Sequence, residues 1–167
     1  GKLLQGSDTI YLVDAVTSLG GMEIRMDDWG FDVLYSGTQK CLSCPPGLAP
    51  LSFSPKAVAK LEARKTKVPN WYLDLTLIMS YWKGASRAYH HTAPINMHYG
   101  LYQALQVILE EGLDAVYARH LENHKLLVQG LANIGLDMLV DAKDRLPMLN
   151  SVKIPQGVDE AQIRSNL

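Results

Sequence analysis

The sequence has 167 residues, 47% of them hydrophobic, and its 16 Lys and Arg against 17 Asp and Glu leave a formal net charge of −1. So even a balance, with 20% charged residues, argues against nucleic acid as a partner and against a disordered acidic or basic tail. No apolar run approaches the roughly 20 residues of a membrane helix, and the first six residues lack the apolar block of a signal peptide.

Thr9–Val13 is an unbroken apolar and β-branched run, which predicts a strand buried on both faces of a parallel sheet and ending at Asp14. Asp32–Ser36 predicts a second strand, running into Gly37-Thr38-Gln39-Lys40. A third, Leu48–Phe53, follows the turn at Pro45-Pro46-Gly47 and is weakened by Pro50. Ser54-Pro55 then reads as an N-cap with proline at the first helical position, opening a helix through Arg64. The aromatic-rich stretch Trp71–Trp82 predicts a helix, and a loop leads on to Tyr89-His90-His91-Thr92.

A long helix is predicted from Pro94 to Glu111, with Ile95, Tyr99, Tyr102, Leu105 and Leu109 as its apolar face and Gly112 closing it. A second, Asp114–Ile134, buries Val116, Leu121, Leu127 and Leu131 and stops at Gly135. Leu136–Val140 and Asn150–Ile154 read as strands flanking Arg145-Leu146-Pro147, and a further helix starts near Asp159. The pattern implies an α/β chain, with residues 1–111 in a large domain and 112–167 opening a small α+β unit. Position 1 is not Met and the last helix has barely begun at Leu167, so missing sequence is expected at both ends.

Asp14 closes one predicted strand and Lys40 follows another. Ligands of open α/β sheets bind outside the carboxyl ends of strands, so both side chains would face one crevice if the strands are neighbours. A lone loop lysine is usually a solvated charge. Here the glycine-bearing turn after a buried strand gives it a more specific setting. Cys41 and Cys44 have CxxC spacing, but one pair falls short of the four ligands of a structural zinc site, and two cysteines make no disulfide framework. No metal site is expected. His120 and His124 lie four apart, yet Glu122 is misplaced for a zinc-protease motif, so an exposed polar face is expected.

Taken in series, Val13-Asp14-Ala15-Val16-Thr17-Ser18-Leu19-Gly20-Gly21, Leu34-Tyr35-Ser36-Gly37-Thr38-Gln39-Lys40, Pro45-Pro46-Gly47, Tyr89-His90-His91-Thr92-Ala93-Pro94, Glu111-Gly112-Leu113 and Arg145-Leu146-Pro147 resemble the class V aminotransferases, fold-type I pyridoxal phosphate enzymes. The nearest branch is that of the alanine–glyoxylate and serine–glyoxylate aminotransferases. The resemblance implies the C-terminal half of a large domain with a mostly parallel sheet, followed by the start of a small α+β domain. It also implies pyridoxal 5'-phosphate as cofactor.

By resemblance, the Lys40 amine joins the cofactor aldehyde and then moves a proton between the substrate α-carbon and the cofactor. Asp14 bonds the pyridine nitrogen and keeps it protonated. Val16 packs on one ring face, and Gln39 donates to the cofactor phosphate. Tyr89 and Thr92 reach the phosphate of the partner subunit's cofactor, which implies a homodimer with shared sites. Without the resemblance, Val16 reads as core packing and Tyr89 as a buried aromatic.

Gln39 before the lysine, where cysteine desulfurases and kynureninases typically have His, sets this sequence apart from them. Tyr89-His90-His91-Thr92 favours the alanine–glyoxylate branch over ureidoglycine–glyoxylate enzymes. The implied reaction moves an amino group from L-alanine, or L-serine, to glyoxylate, giving pyruvate or hydroxypyruvate and glycine. The alternatives are a non-catalytic fragment or subunit of such an enzyme, or another class V activity such as cysteine desulfuration. The expected location is cytoplasmic, or peroxisomal or mitochondrial in a eukaryote. The family's phosphate loop and its carboxylate-binding arginine have no match here.

Overall fold

The computed structural model describes residues 1–83 and 88–167. Strand β1, Leu12–Asp14, runs parallel to β2, Val33–Tyr35, with Asp14 opposite Tyr35; β3, Leu51–Phe53, pairs antiparallel on the other side of β2. The sheet is therefore mixed. Only the central strand is buried at Val33 and Leu34, whereas Leu12 and Asp14 of β1 are exposed. Within these 167 residues β1 lies at the end of the three-stranded sheet, so the burial on both faces expected for it is not seen in this chain; an apolar run identifies a strand without saying what covers it. Pro50 is accommodated because it precedes β3 and contributes only its carbonyl, which accepts the Ser36 N–H at 2.9 Å.

A short helix α1, Met26–Trp29, lies between β1 and β2 and was not predicted. It ends at Gly30, whose φ of 68° is left-handed and suits glycine. Helix α2, Pro55–Glu62, opens as expected, with Ser54 Oγ accepting the Ala57 N–H at 3.1 Å and Pro55 at the first position. The helix predicted from Trp71 begins only at Leu75, as α3, Leu75–Lys83. Asn70 and Asp74 side chains accept the N–H groups of Leu73 and Thr76, which gives this stretch a local alternative to the helix.

Helix α4 spans Ile95–Glu111 and α5 spans Leu113–Asn133. Between them Gly112 takes φ 84°, the position where the sequence sets the boundary between two units. The predicted apolar face of α4 is the exposed one: Ile95, Tyr99, Tyr102, Leu105 and Leu109 face outward. The helix rests instead on Ala104 and Ile108, with Gly100 against Cys44 and Pro45, so small side chains allow close approach to the loop after Lys40. On α5, Val116 is buried, Leu131 is half-buried, and Leu121 and Leu127 are exposed, contrary to the predicted stripe. Leu42, Ile108 and Val116 form one core cluster, with Leu19 and Leu101 packed on it.

The two strands predicted near the end reduce to a single antiparallel bridge, Met138 with Val152, supported by Leu139 N–H to Ser151 O and Lys153 N–H to Asp137 O, both 2.8 Å. The last predicted helix is α6, Glu160–Ser165, capped by the Asp159 side chain on the Gln162 N–H. Among the described residues, no helix is long and apolar enough to cross a membrane.

Candidate active site

The parallel pair β1–β2 ends in a laced edge. Ala15 N–H donates to Tyr35 O and the buried Ser36 hydroxyl donates to Ala15 O, each at 2.9 Å, so the two chain exits are held side by side. At this edge Asp14 Oδ1 accepts the Val16 N–H at 2.8 Å and Oδ2 accepts the Tyr35 hydroxyl at 2.6 Å. These bonds, the Tyr35 hydroxyl first, hold the Asp14 carboxyl below its ordinary range. It makes no ion pair among the described residues. The site thus presents an exposed, ionised carboxylate whose charge is not matched by a cation among the described residues.

Beyond Tyr35 the chain turns through Gly37 to Lys40, and buried Thr38 anchors the turn. Its hydroxyl donates to Pro45 O at 2.9 Å, and its carbonyl accepts the Cys44 N–H at 3.1 Å. Gln39 and Lys40 are left exposed at the apex. A Cβ on Gly37 would stand 2.7 Å from Gln39 Oε1, so glycine leaves room for the amide to fold back over the turn. Val16 is half-buried beside Asp14.

The loops after β1 and β2 interlock. The Cys41 thiol donates to Thr17 O at 3.2 Å, and burial pushes that thiol up, keeping its proton. Leu42 and Cys41 press on Gly20, and a Cβ on Gly21 would lie 2.7 Å from Cys41 Sγ and 2.8 Å from Met148 Cε. Asp14 and Lys40 consequently rise from one locked pair of loops at the carboxyl end of neighbouring parallel strands, where ligands of open sheets bind. Cys44 Sγ lies 3.9 Å from Met97 O, so both cysteines serve packing. Among the described residues no cluster of three or more His, Cys, Asp or Glu forms.

Tyr89 and Thr92 form a second cluster. Their hydroxyl oxygens are 2.6 Å apart and both residues are exposed, so Tyr89 is not the buried aromatic that its side chain alone suggests. Behind them His90 is buried, stacked on Trp71 with ring centroids 4.2 Å apart. Its Nε2 lies 3.1 Å from Trp71 O and its Nδ1 lies 2.7 Å from His91 Nδ1. A carbonyl can only accept, so His90 carries its proton on Nε2 and His91 donates from Nδ1. No hydrogen bond joins this cluster to Asp14 or Lys40 among the described residues.

His120 and His124 are half-buried and do not form the expected exposed face. His124 Nδ1 and Asn150 Oδ1 are 2.6 Å apart, which fixes the bend after Pro147, and burial draws the His120 pKa down. Sequence reading missed Tyr35. Its place at the end of β2, in line with Asp14 at the end of β1, is the signal that could have found it.

The family model for class V aminotransferases matches residues 1–167. The alanine–glyoxylate aminotransferase of Drosophila melanogaster is 45% identical over 162 residues, covering 95% of this chain and 41% of its own length. The (S)-ureidoglycine–glyoxylate transaminase of Bacillus subtilis (strain 168) is 31% identical over 185 residues, 44% of its length. Among solved structures, an alanine–glyoxylate aminotransferase from Nostoc sp. superposes with a TM-score of 0.92 at 47% identity, covering 99% of this chain and 44% of that one. The chain thus spans about two fifths of the length of the relatives it matches. Its α/β fold is that of the fold-type I aminotransferases, and the chain belongs to the class V aminotransferase family.

Proposed function

We propose that this chain supplies the lysine and the ring-binding aspartate of a pyridoxal 5'-phosphate-dependent aminotransferase that moves an amino group from L-alanine to glyoxylate. The observation that carries the proposal is the exposed, ionised Asp14, paired with no cation among the described residues, on the same locked loop pair as the exposed Lys40. An anion held by two neutral donors suits a cationic ring N–H, and a free primary amine suits an aldehyde. The donor set therefore fits the cofactor.

When bound, the cofactor supplies an aldehyde and an electron-withdrawing ring. Lys40 Nζ would hold it and, once released, would act as the base at the substrate α-carbon. Asp14 would keep the ring nitrogen protonated. Val16 offers an apolar contact to one ring face. The Gln39 amide is a neutral donor for phosphate oxygens, and the paired hydroxyls of Tyr89 and Thr92 are two more. By resemblance to the family they would serve the partner subunit's cofactor in a homodimer with shared sites.

Residues 1–111 are then part of the cofactor domain and 112–167 begin the small domain. The relatives named for alanine and glyoxylate favour that substrate pair, with serine as the second donor to try. The test is purified full-length protein with pyridoxal phosphate, glyoxylate and alanine, serine, ureidoglycine or cysteine. Glycine formed fastest from alanine, with pyruvate in equal amount, supports the reading. Faster turnover of ureidoglycine, or sulfide from cysteine, overturns the substrate assignment.

A further inference from the structure

Asp14 and Tyr35 end neighbouring parallel strands and stand opposite each other in register. Paired positions of a parallel ladder send their side chains to the same face, so the phenol meets the carboxylate. At 2.6 Å the contact has the length of a charge-assisted O–H to carboxylate bond. The Tyr35 backbone is held on both sides, by Ala15 N–H on its carbonyl and by pairing with Leu51. Its hydroxyl is therefore delivered to Asp14 by the sheet itself.

We propose that Tyr35 is a positioning residue of this site: by donating to Asp14 Oδ2 it fixes the plane of the carboxylate and aims the remaining lone pairs at a cationic ring N–H. The inference rests on the aminotransferase reading for the identity of that cation. Val16 N–H fills one lone pair of Oδ1 and Tyr35 O–H one of Oδ2, so each oxygen keeps about one for an incoming donor. The Asp14 titration is set by these two donors, Tyr35 first, which lower it, against burial, which raises it, with no cationic side chain contributing among the described residues. Reciprocally, the carboxylate pushes the Tyr35 phenol up.

The test is Tyr35→Phe in the full-length enzyme, which keeps the ring and removes the donor. In the cofactor-free protein the Asp14 carboxyl is followed by carbon NMR and assigned by its loss in Asp14→Asn. It should titrate at higher pH in Tyr35→Phe, and an unchanged titration overturns the proposal. With alanine and glyoxylate, kcat should fall about tenfold while KM for alanine moves less than about twofold. An unchanged kcat beside a shifted Asp14 titration overturns the positioning role alone.

Should Tyr35→Phe not fold, ultraviolet titration of the tyrosines decides. In the natural sequence the Tyr35 and Tyr117 phenols should both ionise above the ordinary range, Tyr117 through burial, and in Asp14→Asn one of the two should return to that range; no such return overturns the proposal. Failure to bind pyridoxal phosphate at all sinks the aminotransferase reading, and with it the cation assigned to Tyr35 and Asp14.

Discussion

Two aspartates mark opposite ends of the same parallel strand pair. Asp32, just before β2, is buried, and its carboxylate takes the Tyr11 N–H at 2.9 Å, the Ser54 hydroxyl at 2.9 Å and the Lys56 ammonium at 3.2 Å. Asp14, at the end of β1, is exposed and, among the described residues, takes two neutral donors and no cation. Both carboxyls are held below their ordinary range, so a lowered pKa does not separate them. What separates them is completeness: Asp32 has its counter-charge within the chain and ties β1, β2 and α2 together, whereas Asp14 offers its charge outward. A carboxylate of the first kind stabilises the fold, and one of the second kind is available to a ligand.

The largest expected effect lies on the ligand-facing side. Lys40→Ala in the full-length protein should lower alanine–glyoxylate turnover by at least about 10³-fold, as for loss of a covalent anchor and base. Normal turnover with the natural absorption spectrum would sink the assignment. Asp14→Asn should lower kcat by about 10²- to 10³-fold while thermal unfolding shifts by less than about 2 °C. A large loss of stability would place Asp14 with Asp32.

Asp32→Ala should do the reverse, costing about 2–3 kcal/mol in denaturant unfolding because Tyr11 N–H and Lys56 lose their acceptor, with kcat nearly unchanged. Asp32 also sets an acid limit. Its folded pKa lies below the unfolded value, so its contribution is full above the ordinary carboxylate range and is lost as pH falls through the folded value. Stability measured from pH 6 down should decline less steeply in Asp32→Asn than in the natural sequence. The smallest effect is at the cap beside it: Ser54→Ala should cost about 1 kcal/mol by freeing the Ala57 N–H. A loss as large as that of Asp32→Ala would mean that the Ser54 bond to Asp32 outweighs the cap.

Much of this was legible in the residues. The Ser54-Pro55 helix start, the α4–α5 break at Gly112, the strand end at Asp14 and the turn that carries Lys40 each depend on a local signal that is stronger than its surroundings. The apolar stripe from Ile95 to Leu109 is exposed in this chain, because a 3.6-residue period reveals that a helix has an apolar side but not which neighbour covers it. The contact actually made runs through Gly100, Ala104 and Ile108, two small residues and one isoleucine, a pattern too quiet to stand out. Leu136–Val140 and Asn150–Ile154 have strand composition but find each other at one bridge only, since pairing is a property of the partner as much as of the segment. Tyr35 was hidden for the same reason: its role exists only in register with a residue 21 positions away.

Gly21 has a consequence for anyone who would transplant this chemistry. Three distant segments, carrying Gly21, Cys41 and Met148, converge where only a hydrogen atom fits. The lysine loop is thus not a portable cassette. Drift at any one of the three positions has to be matched at the other two, and a graft of Ser36–Cys44 into another scaffold would arrive without the surfaces that hold its shape.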